Sequence, residues 1–201
     1  MKPILLDFPM PIITPRLLLR PPCIGDGAAV NSAVLESLNE LSAFLPWAQT
    51  APTGEDSEEF VRQAAANWIL KKNAEPHLPF FIFDRITQQF LGGTGYHHLD
   101  WNIPSVETGY WLRTSSTGKG YMTEAVNALT HYAFEQLRVK RIAITCDSAN
   151  HRSRRVAERL GYCLEGTLKS NRRSLTTGEL SDTMLYARYD LVGLPELIVE
   201  W

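Results

Sequence analysis

The chain has 201 residues, of which 44% are apolar and 21% charged, and its net charge is −2. This composition excludes a disordered chain, and the length favours one hydrophobic core over two very small ones. No apolar stretch approaches the roughly 18–20 residues of a membrane-spanning helix, so we expect no integral membrane protein. Four prolines interrupt the first 15 residues, and we therefore predict no signal peptide.

Cysteine usage and local charge narrow the function further. The three cysteines form no CxxC pair, which argues against a disulfide framework or a structural zinc site and favours the cytoplasm. Residues 113–173 carry a net charge of +7, whereas the rest of the chain carries −9. A locally basic stretch on an acidic protein indicates a site for a small polyanion, with a solvated basic face as the alternative. A nucleic-acid-binding protein would usually be basic throughout, so we expect no nucleic-acid partner.

The predicted elements of the first third are one strand and two helices. The apolar run at 16–20 predicts a strand, which Pro21 stops because proline cannot continue a paired ladder. Apolar residues at three- and four-residue spacing predict a helix from Gly25 to about Leu41. A second helix is predicted to start near Thr53, whose side chain can cap it, and to end at about Asn73.

The rest of the chain alternates between strands and helices. Strands are predicted at 79–85, 90–99, 105–113, 141–146, 162–169 and 184–190, and helices at 119–137 and 153–160. The resulting order, β-α-α-β-β-β-α-β-α-β-β, predicts a mixed α/β sheet. At least one crossover connection is expected after the strand at 105–113.

The segment YWLRTSSTGKGY (110–121) carries the most specific local signal. It consists of a strand, a loop of small residues and the start of a helix. Gly118 and Gly120 let the backbone turn tightly and approach a ligand closely. The free N–H groups of the following helix then favour a pyrophosphate in the loop. The segment is neither a P-loop nor a dinucleotide fingerprint, and an ordinary strand-to-helix turn is the alternative.

The downstream sequence turns this local signal into a family resemblance. The stretch VETGYWL…GKGYMTEAV…FEQLRVKRI…CDSANHRSRRVAERLGYCLEG resembles the GNAT superfamily of acetyl-CoA-dependent N-acetyltransferases. It most closely resembles the RimJ/RimL-like branch, which includes acetylases of ribosomal-protein N-termini. The resemblance is strong over 106–190, includes TPRLLLRPP at 14–22 as the usual first strand, and covers 23–90 only in layout.

The resemblance implies the fold and its boundaries. We expect an α/β (α+β) GNAT fold with a mixed, mostly antiparallel sheet of six to seven strands and about four helices. Two central strands should splay apart and form the CoA site. Residues 1–201 are expected to form a single acetyltransferase domain, with a core at 14–191 and a C-terminal tail at 192–201.

The resemblance also implies the residues that bind acetyl-CoA, while no metal is needed. The family's pyrophosphate loop, Gln/Arg-x-x-Gly-x-Gly/Ala, falls on 115–120, with Ser115 where relatives usually carry Gln or Arg. Asn150 would hold the pantetheine amide, or would only cap the following helix. Lys119, Arg154 and Arg155 are candidates for the phosphates. The implied cofactor-binding residues are Leu112, Arg113, Ser115, Ser116, Thr117, Gly118, Lys119, Gly120, Tyr121, Asn150, Ser153 and Arg155.

For the catalytic base, the branch often has Glu at the position of Glu107, which is the favoured candidate. His97 and His98 compete, because a histidine has a pKa better matched to amine deprotonation near neutrality. Neighbours on a strand point to opposite faces, so at most one of the two histidines can face the site. A better-known relative uses a Glu 19 residues after its motif Ser, where this chain has Arg172.

For the catalytic acid, many members use a Tyr seven residues after the Asn, where this chain has Ala157. Ser153 is therefore the candidate to hydrogen-bond or protonate the leaving thiolate. The backbone N–H of Leu112 is the expected donor to the thioester carbonyl oxygen.

By branch resemblance, the acceptor is expected to be a primary amine, with a protein or peptide N-terminal α-amine preferred. A polyamine, an aminoglycoside or an amino-acid-like amine is the alternative. A weakly catalytic acetyl-CoA-binding regulatory module is another alternative, because Ser115, Ala157 and Arg172 depart from the usual pattern. No membrane partner is expected, and the chain is either a monomer or a homodimer. The apolar tail is suited to docking on its own core or on a neighbour.

Overall fold

The computed structural model describes residues 2–71 and 77–201, and within them four α-helices and eight strands. The strands are β1 (Ile12–Ile13), β2 (Leu17–Arg20), β3 (Leu78–Asp84), β4 (Phe90–Asp100), β5 (Ser105–Leu112), β6 (Arg141–Asp147), β7 (Cys163–Arg173) and β8 (Leu180–Arg188). The helices are α1 (Gly27–Ser42), α2 (Gly54–Leu70), α3 (Tyr121–Glu135) and α4 (His151–Arg159). No helix in the described residues combines the length and apolar character needed to cross a bilayer.

All eight strands belong to one sheet in the order β1-β2-β3-β4-β5-β6-β8-β7. Every neighbouring pair is antiparallel except β5 and β6, which run parallel and are joined through α3. The mixed, mostly antiparallel sheet and the crossover after β5 are therefore confirmed. The predicted count of six to seven strands is wrong by at least one.

The additional strand is β1, which has only two residues and lies between Pro11 and Pro15. Ile12 pairs with Leu19 and Ile13 with Leu18, so the chain turns back on itself within a few residues. Such a short apolar pair between prolines carries no alternating pattern from which a strand can be predicted.

Helix α2 begins at the predicted cap. The Thr53 side chain accepts a hydrogen bond from the Asp56 N–H at 3.1 Å, and the Asp56 carboxylate accepts one from the Thr53 N–H at 2.8 Å. This reciprocal arrangement is a capping box, and it satisfies two backbone donors at the helix start. The helix ends at Leu70, whereas its predicted end at Asn73 lies outside the described residues.

Helices cover both faces of the sheet. Phe80 and Ile82 of β3 belong to the larger core cluster, together with apolar residues of α3 and α4. Phe81 and Phe83 of the same strand face the opposite way and pack with residues of α1 and α2. Because β3 is buried on both faces, its sequence is a continuous apolar run.

The C-terminal tail packs against the same protein's core. Ile13 and Glu200 exchange backbone hydrogen bonds of 2.7 and 2.9 Å, and the Trp201 ring meets the Tyr132 ring edge-on at 5.8 Å. Leu194 and Leu197 pack on the larger core cluster. The tail therefore docks on the chain's own core, which is one of the two docking partners predicted for it.

Arg188, at the end of β8, is a buried cation whose partners are backbone carbonyls. It is only 5% exposed and donates to the carbonyl oxygens of Leu160, Asp190 and Val192. It therefore ties the end of α4 to the segment that follows β8. A buried carbonyl without a donor costs free energy, so these contacts matter for folding.

We predict that Arg188→Met lowers the free energy of unfolding by on the order of 1–3 kcal/mol, because it leaves three carbonyls without their donor. Urea unfolding measures this change. Arg62→Met is the control, since its side chain is 58% exposed and forms only a surface ion pair with Glu58. Equal losses in the two variants would contradict the role given to Arg188.

Candidate active site

Strands β5 and β6 pair over a short length and then part. Three residue pairs join them, Ser105 with Arg141, Val106 with Ile142 and Glu107 with Ala143. Beyond Glu107, β5 stays paired with β4 up to Leu112, and β6 stays paired with β8 up to Asp147. The predicted splay of the central strands is therefore confirmed. It leaves two facing strand edges whose backbone groups can bind an extended ligand.

A cleft of about 780 Å³ opens at this splay, bounded by the end of β5 and the starts of α3 and α4. Eight predicted cofactor-binding residues line it: Leu112, Thr117, Gly118, Gly120, Tyr121, Asn150, Ser153 and Arg155. The other four, Arg113, Ser115, Ser116 and Lys119, lie outside the lining. The cleft therefore brings together most of the predicted cofactor-binding residues, which are spread over 44 positions of the chain.

The glycine loop before α3 has the geometry of an anion cradle. Gly118 and Gly120 have φ values of +76° and +80°, a backbone conformation that favours glycine. The first turn of α3 directs its free N–H groups into the loop. Arg16, which directly precedes β2, holds the loop by donating to the Lys119 carbonyl at 2.9 Å and pairing with Glu124 at 2.6 Å. The loop is thus fixed before any ligand arrives.

Arg113 and Ser115 are held by α1 instead of facing the cleft. Arg113 Nε donates to the Glu36 carboxylate at 2.9 Å, and the Ser115 N–H donates to the same group at 2.8 Å. The hydrogen bond from Arg113 lowers the pKa of Glu36 to about 2. Ser37 accepts the Thr114 N–H at 2.8 Å. These contacts anchor the start of the loop to α1.

Three arginines of α4 line the cleft in one stripe. Arg152, Arg155 and Arg159 are spaced three and four residues apart, so they share one face of the helix. Arg154 lies outside the lining and pairs with Glu158 at 3.4 Å. The sequence prediction included Arg155 but missed Arg152 and Arg159. Their spacing of three and four residues from Arg155 is the pattern from which they could have been predicted.

Asn150, Ser153 and Tyr110 meet in the lining of the cleft, where α4 contacts β5. Asn150 Oδ1 accepts the Ser153 N–H at 3.1 Å, so Asn150 does cap α4. Ser153 Oγ donates to the Tyr110 hydroxyl at 3.2 Å, and that hydroxyl donates to the Ser153 carbonyl at 3.1 Å. Tyr110 thereby reaches from β5 across to α4. Burial raises the pKa of Tyr110, so its phenol stays protonated.

Tyr110 was missed as a site residue. Ala157, which replaces the usual Tyr, lies one helical turn after Ser153 and is fully buried. Because Ser153 and Ala157 share one side of α4, the Tyr110 hydroxyl, which contacts Ser153, approaches that side from β5. The missing Tyr was the signal: it predicts that another residue supplies a hydroxyl there.

Glu107 and His97 are direct neighbours across β4 and β5. Strand alternation places Glu107 on the face of Trp111, opposite to α3. The Glu107 carboxylate accepts a hydrogen bond from the Thr145 hydroxyl. Burial, followed by the neighbouring His77, lowers the pKa of His97 to about 4. The two imidazoles stack with ring centroids 4.3 Å apart.

His98 occupies a different environment from His97. It is exposed, has a φ of +49°, and lies where the β4–β5 register shifts. His97 lines a second cavity of about 520 Å³, whereas His98 and Glu107 lie outside the lining of both cavities. Of the two candidate histidines, His97 is therefore the one that faces a cavity.

Arg172, where a relative has its catalytic Glu, forms an ion pair. Its Nε lies 3.3 Å from the carboxylate of Asp147, which is only 6% exposed. Asp147 also accepts from the Ser181 hydroxyl at 2.8 Å and the Ala149 N–H at 2.9 Å. Arg172 thus compensates a buried carboxylate at the end of β6. A base at this position would place two carboxylates together.

We predict that Gly118→Ala weakens acetyl-CoA binding by about five- to thirtyfold. Alanine makes the left-handed backbone about 1–2 kcal/mol less favourable, so the free loop leaves the cradle conformation and binding has to restore it. Gly178→Ala is a matched control, since both glycines have a φ near +75° and neither has an atom within 4 Å of an added Cβ. Both variants should lose similar thermal stability. Calorimetric titration with acetyl-CoA should separate them, and equal affinities would contradict the cradle.

We predict that acidification from pH 6.5 to 4 destabilises the protein partly through His97. Its pKa falls from 6.5 to about 4 on folding, so in this window the unfolded chain binds a proton that the folded protein excludes. The free energy of unfolding therefore decreases as the pH decreases. His97→Asn should flatten this dependence in urea titrations, whereas His98→Asn should not. Identical slopes for the two variants would refute the prediction.

The comparisons with known proteins agree with this geometry. Residues 16–162 match the family described as acetyltransferase (GNAT) domain. The ribosomal-protein-serine acetyltransferase of Escherichia coli K12 is 30% identical over 148 residues, which are 74% of this chain and 78% of that protein. The structure of RimL, a ribosomal L7/L12 α-N-protein acetyltransferase in complex with coenzyme A, has a TM-score of 0.77 at 27% identity and covers 89% of this chain and 97% of that one.

A GNAT-family acetyltransferase from Bacillus anthracis has a TM-score of 0.73 at 26% identity, over 90% of this chain and 98% of that one. The described residues contain no group of three or more His, Cys, Asp or Glu arranged to hold a metal ion. The cleft fits acetyl-CoA, because it combines a backbone anion cradle, an arginine stripe and unpaired strand edges. The chain belongs to the GNAT acetyltransferase family and is an acetyl-CoA-dependent N-acetyltransferase.

Proposed function

We propose that the chain transfers the acetyl group of acetyl-CoA to the N-terminal α-amine of a peptide or protein. The observation that carries this proposal is the position of Glu107 at the last β5–β6 pair, where the splay begins. Glu107 lies there on the sheet face of the second cavity, beside His97. An amine that enters from the cavity side can thus reach a base and the splay together.

The relatives support an α-amine as the acceptor. One is named a ribosomal-protein-serine acetyltransferase, and the other acts on ribosomal L7/L12 as an α-N-protein acetyltransferase. Chemistry favours the same choice. An unperturbed α-amine has a pKa of about 7.7–8.0, against about 10.4 for a lysine side chain, so a far larger share is neutral near pH 7.

The splayed edge of β5 is suited to bind the pantetheine arm. The Arg113 N–H donates to the Leu91 carbonyl of β4 at 2.8 Å. Backbone groups alternate along a strand, so the Leu112 N–H points away from β4 and towards the cleft. We assign to it the hydrogen bond to the thioester carbonyl oxygen. The glycine loop would hold the pyrophosphate and the α4 arginine stripe the remaining phosphate.

The reaction joins the two substrates directly. The neutral amine nitrogen attacks the thioester carbonyl carbon, the C–N bond forms and the C–S bond breaks. Glu107 takes the proton that the nitrogen loses, directly or through one water. The Ser153 hydroxyl, which donates to Tyr110 in the structure, turns its single O–H to the leaving sulfur and stabilises the thiolate, which then takes a proton from solvent to become the thiol. The Tyr110 hydroxyl, 3.2 Å from Ser153 Oγ, positions that group.

We also propose that residues 1–201 work as one domain in the cytoplasm. The tail supports the first point, because Glu200 pairs with Ile13 at the start of the sheet. The cysteines support the second, since Cys23, Cys146 and Cys163 are all free thiols, which fits a reducing compartment.

We predict that Glu107→Gln lowers kcat by about a hundredfold, the usual contribution of a general base, while acetyl-CoA affinity stays within about twofold. Release of free CoA thiol with an N-terminally unblocked peptide measures the rate. Glu165→Gln is the control, because Glu165 lies on β7 and pairs with Arg141, outside the lining of the cleft. Ser153→Ala should also reduce kcat.

An unchanged kcat in both Glu107→Gln and Ser153→Ala would contradict the assigned roles. Thiol release with polyamines or aminoglycosides but with no peptide would replace the α-amine by a small-molecule amine. An acetyl-CoA-induced melting shift without release for any amine would instead favour a non-catalytic binding module.

A further inference from the structure

The second cavity, next to the cofactor cleft, has a lining that fits one kind of acceptor. Resting on the proposed function, we propose that this cavity binds a large apolar or aromatic side chain on the residue that carries the reacting amine. Its volume of about 520 Å³ is within the range of about 300–1,000 Å³ typical of small-ligand sites. A serine or alanine side chain would leave most of this space unfilled.

The walls of the cavity are mainly hydrocarbon and aromatic rings from both helices of this face and from the sheet. Val34 of α1, Phe60 of α2, Phe81 of β3 and Trp111 of β5 contribute, together with Trp47 from the segment between the helices. Trp47 is 52% exposed and Phe60 44% exposed. Two large aromatic rings at the edge of a cavity offer apolar surface that a bound side chain would remove from water.

The cavity offers little to a charged acceptor. Asp56 is the one carboxylate among its described lining residues, which include no lysine or arginine. That carboxylate already accepts hydrogen bonds from the N–H and the hydroxyl of Thr53, at 2.8 and 2.7 Å. Burial lowers the pKa of both His77 and His97, so the two imidazoles are neutral near pH 7. A polycation would lose its hydration here without gaining a free counter-charge.

The cavity adjoins the reaction centre. Leu45, Tyr110 and Trp111 line both the cofactor cleft and the cavity, so the two meet along the end of β5. His97, in the cavity lining, is the cross-strand neighbour of Glu107. An acceptor whose side chain lies in the cavity therefore presents its amine towards the splay. A Cβ on Gly93 would lie 2.8 Å from the Trp111 indole nitrogen, so this wall is packed closely against β4.

The test compares peptides that differ only in their first residue. With Phe, Trp or Leu at the first position, kcat/KM should exceed that with Ser or Ala by about ten- to hundredfold, the difference expected for burying one large apolar side chain. Thiol release from saturating acetyl-CoA gives the rates. Tryptamine and ethylamine extend the comparison to amines without a peptide bond, and spermidine represents the polycations.

Phe60→Ala should reduce the preference for Phe over Ala by about fivefold or more and leave the acetyl-CoA melting shift unchanged. Ile69→Ala is the matched control: Ile69 lies on the same helix, is 69% exposed and lies outside the cavity lining. It should retain the full preference. If Phe60→Ala folds and keeps the full preference for Phe over Ala, the proposal is overturned.

The outcomes separate this inference from the proposed function. Equal rates for all first residues, or faster rates for Ser and Ala, would overturn the inference and leave α-amine acetylation standing. Acetylation of tryptamine, with ethylamine and all peptides inert, would support the cavity and overturn the peptide acceptor. Spermidine as the fastest acceptor would overturn both.

Discussion

The parting of β5 and β6 is the constraint on which the rest of the molecule depends. Three pairs join the strands, and beyond Glu107 each keeps a neighbour on its other side alone. Backbone N–H and C=O groups inside a protein require partners, so a sheet opened at its centre leaves groups in the gap that can bind water or a ligand. The crossover through α3 keeps the two strands parallel, and the Tyr110–Ser153 contact joins β5 to α4 beyond the point where the strands separate. The acyl-donor site is therefore a consequence of the sheet's topology.

Two arginine–carboxylate pairs fix the loop that completes this site. Arg113 with Glu36 ties its first residues to α1, and Arg16 with Glu124 ties the start of α3 to the residue that precedes β2. Each pair also engages backbone groups, since Glu36 accepts the Ser115 N–H and Arg16 donates to the Lys119 carbonyl. The basic side chains around the loop thus divide into two groups. Arg16 and Arg113 are held in ion pairs, whereas Arg152, Arg155 and Arg159 of α4 line the cleft and are available to the phosphates.

Sequence alone predicted the order of the elements apart from β1, and eight of the residues that line the cleft, because these depend on local pattern. Gly118 and Gly120 were identifiable since a tight turn before a helix requires their backbone freedom, and the cap at Thr53 lies within three residues of its partner. Glu36 and Tyr110 were not predictable, because their partners lie 77 and 43 positions away. The strand β1 was also missed, since two residues between prolines carry no period. Long-range contacts decide which arginines face a ligand, as Arg152 and Arg154 illustrate.

Strand β5 also separates the cofactor cleft from the second cavity. Its consecutive residues Tyr110 and Trp111 line both cavities, yet along this stretch the strand is paired with β4 alone. An acyl donor lying in the splay would supply the neighbour that β6 no longer provides. The stretch of β5 that forms a wall of the second cavity would then have a neighbour on both of its edges only when the acyl donor is bound. A donor bound in the splay would in this way stabilise a wall of the second cavity.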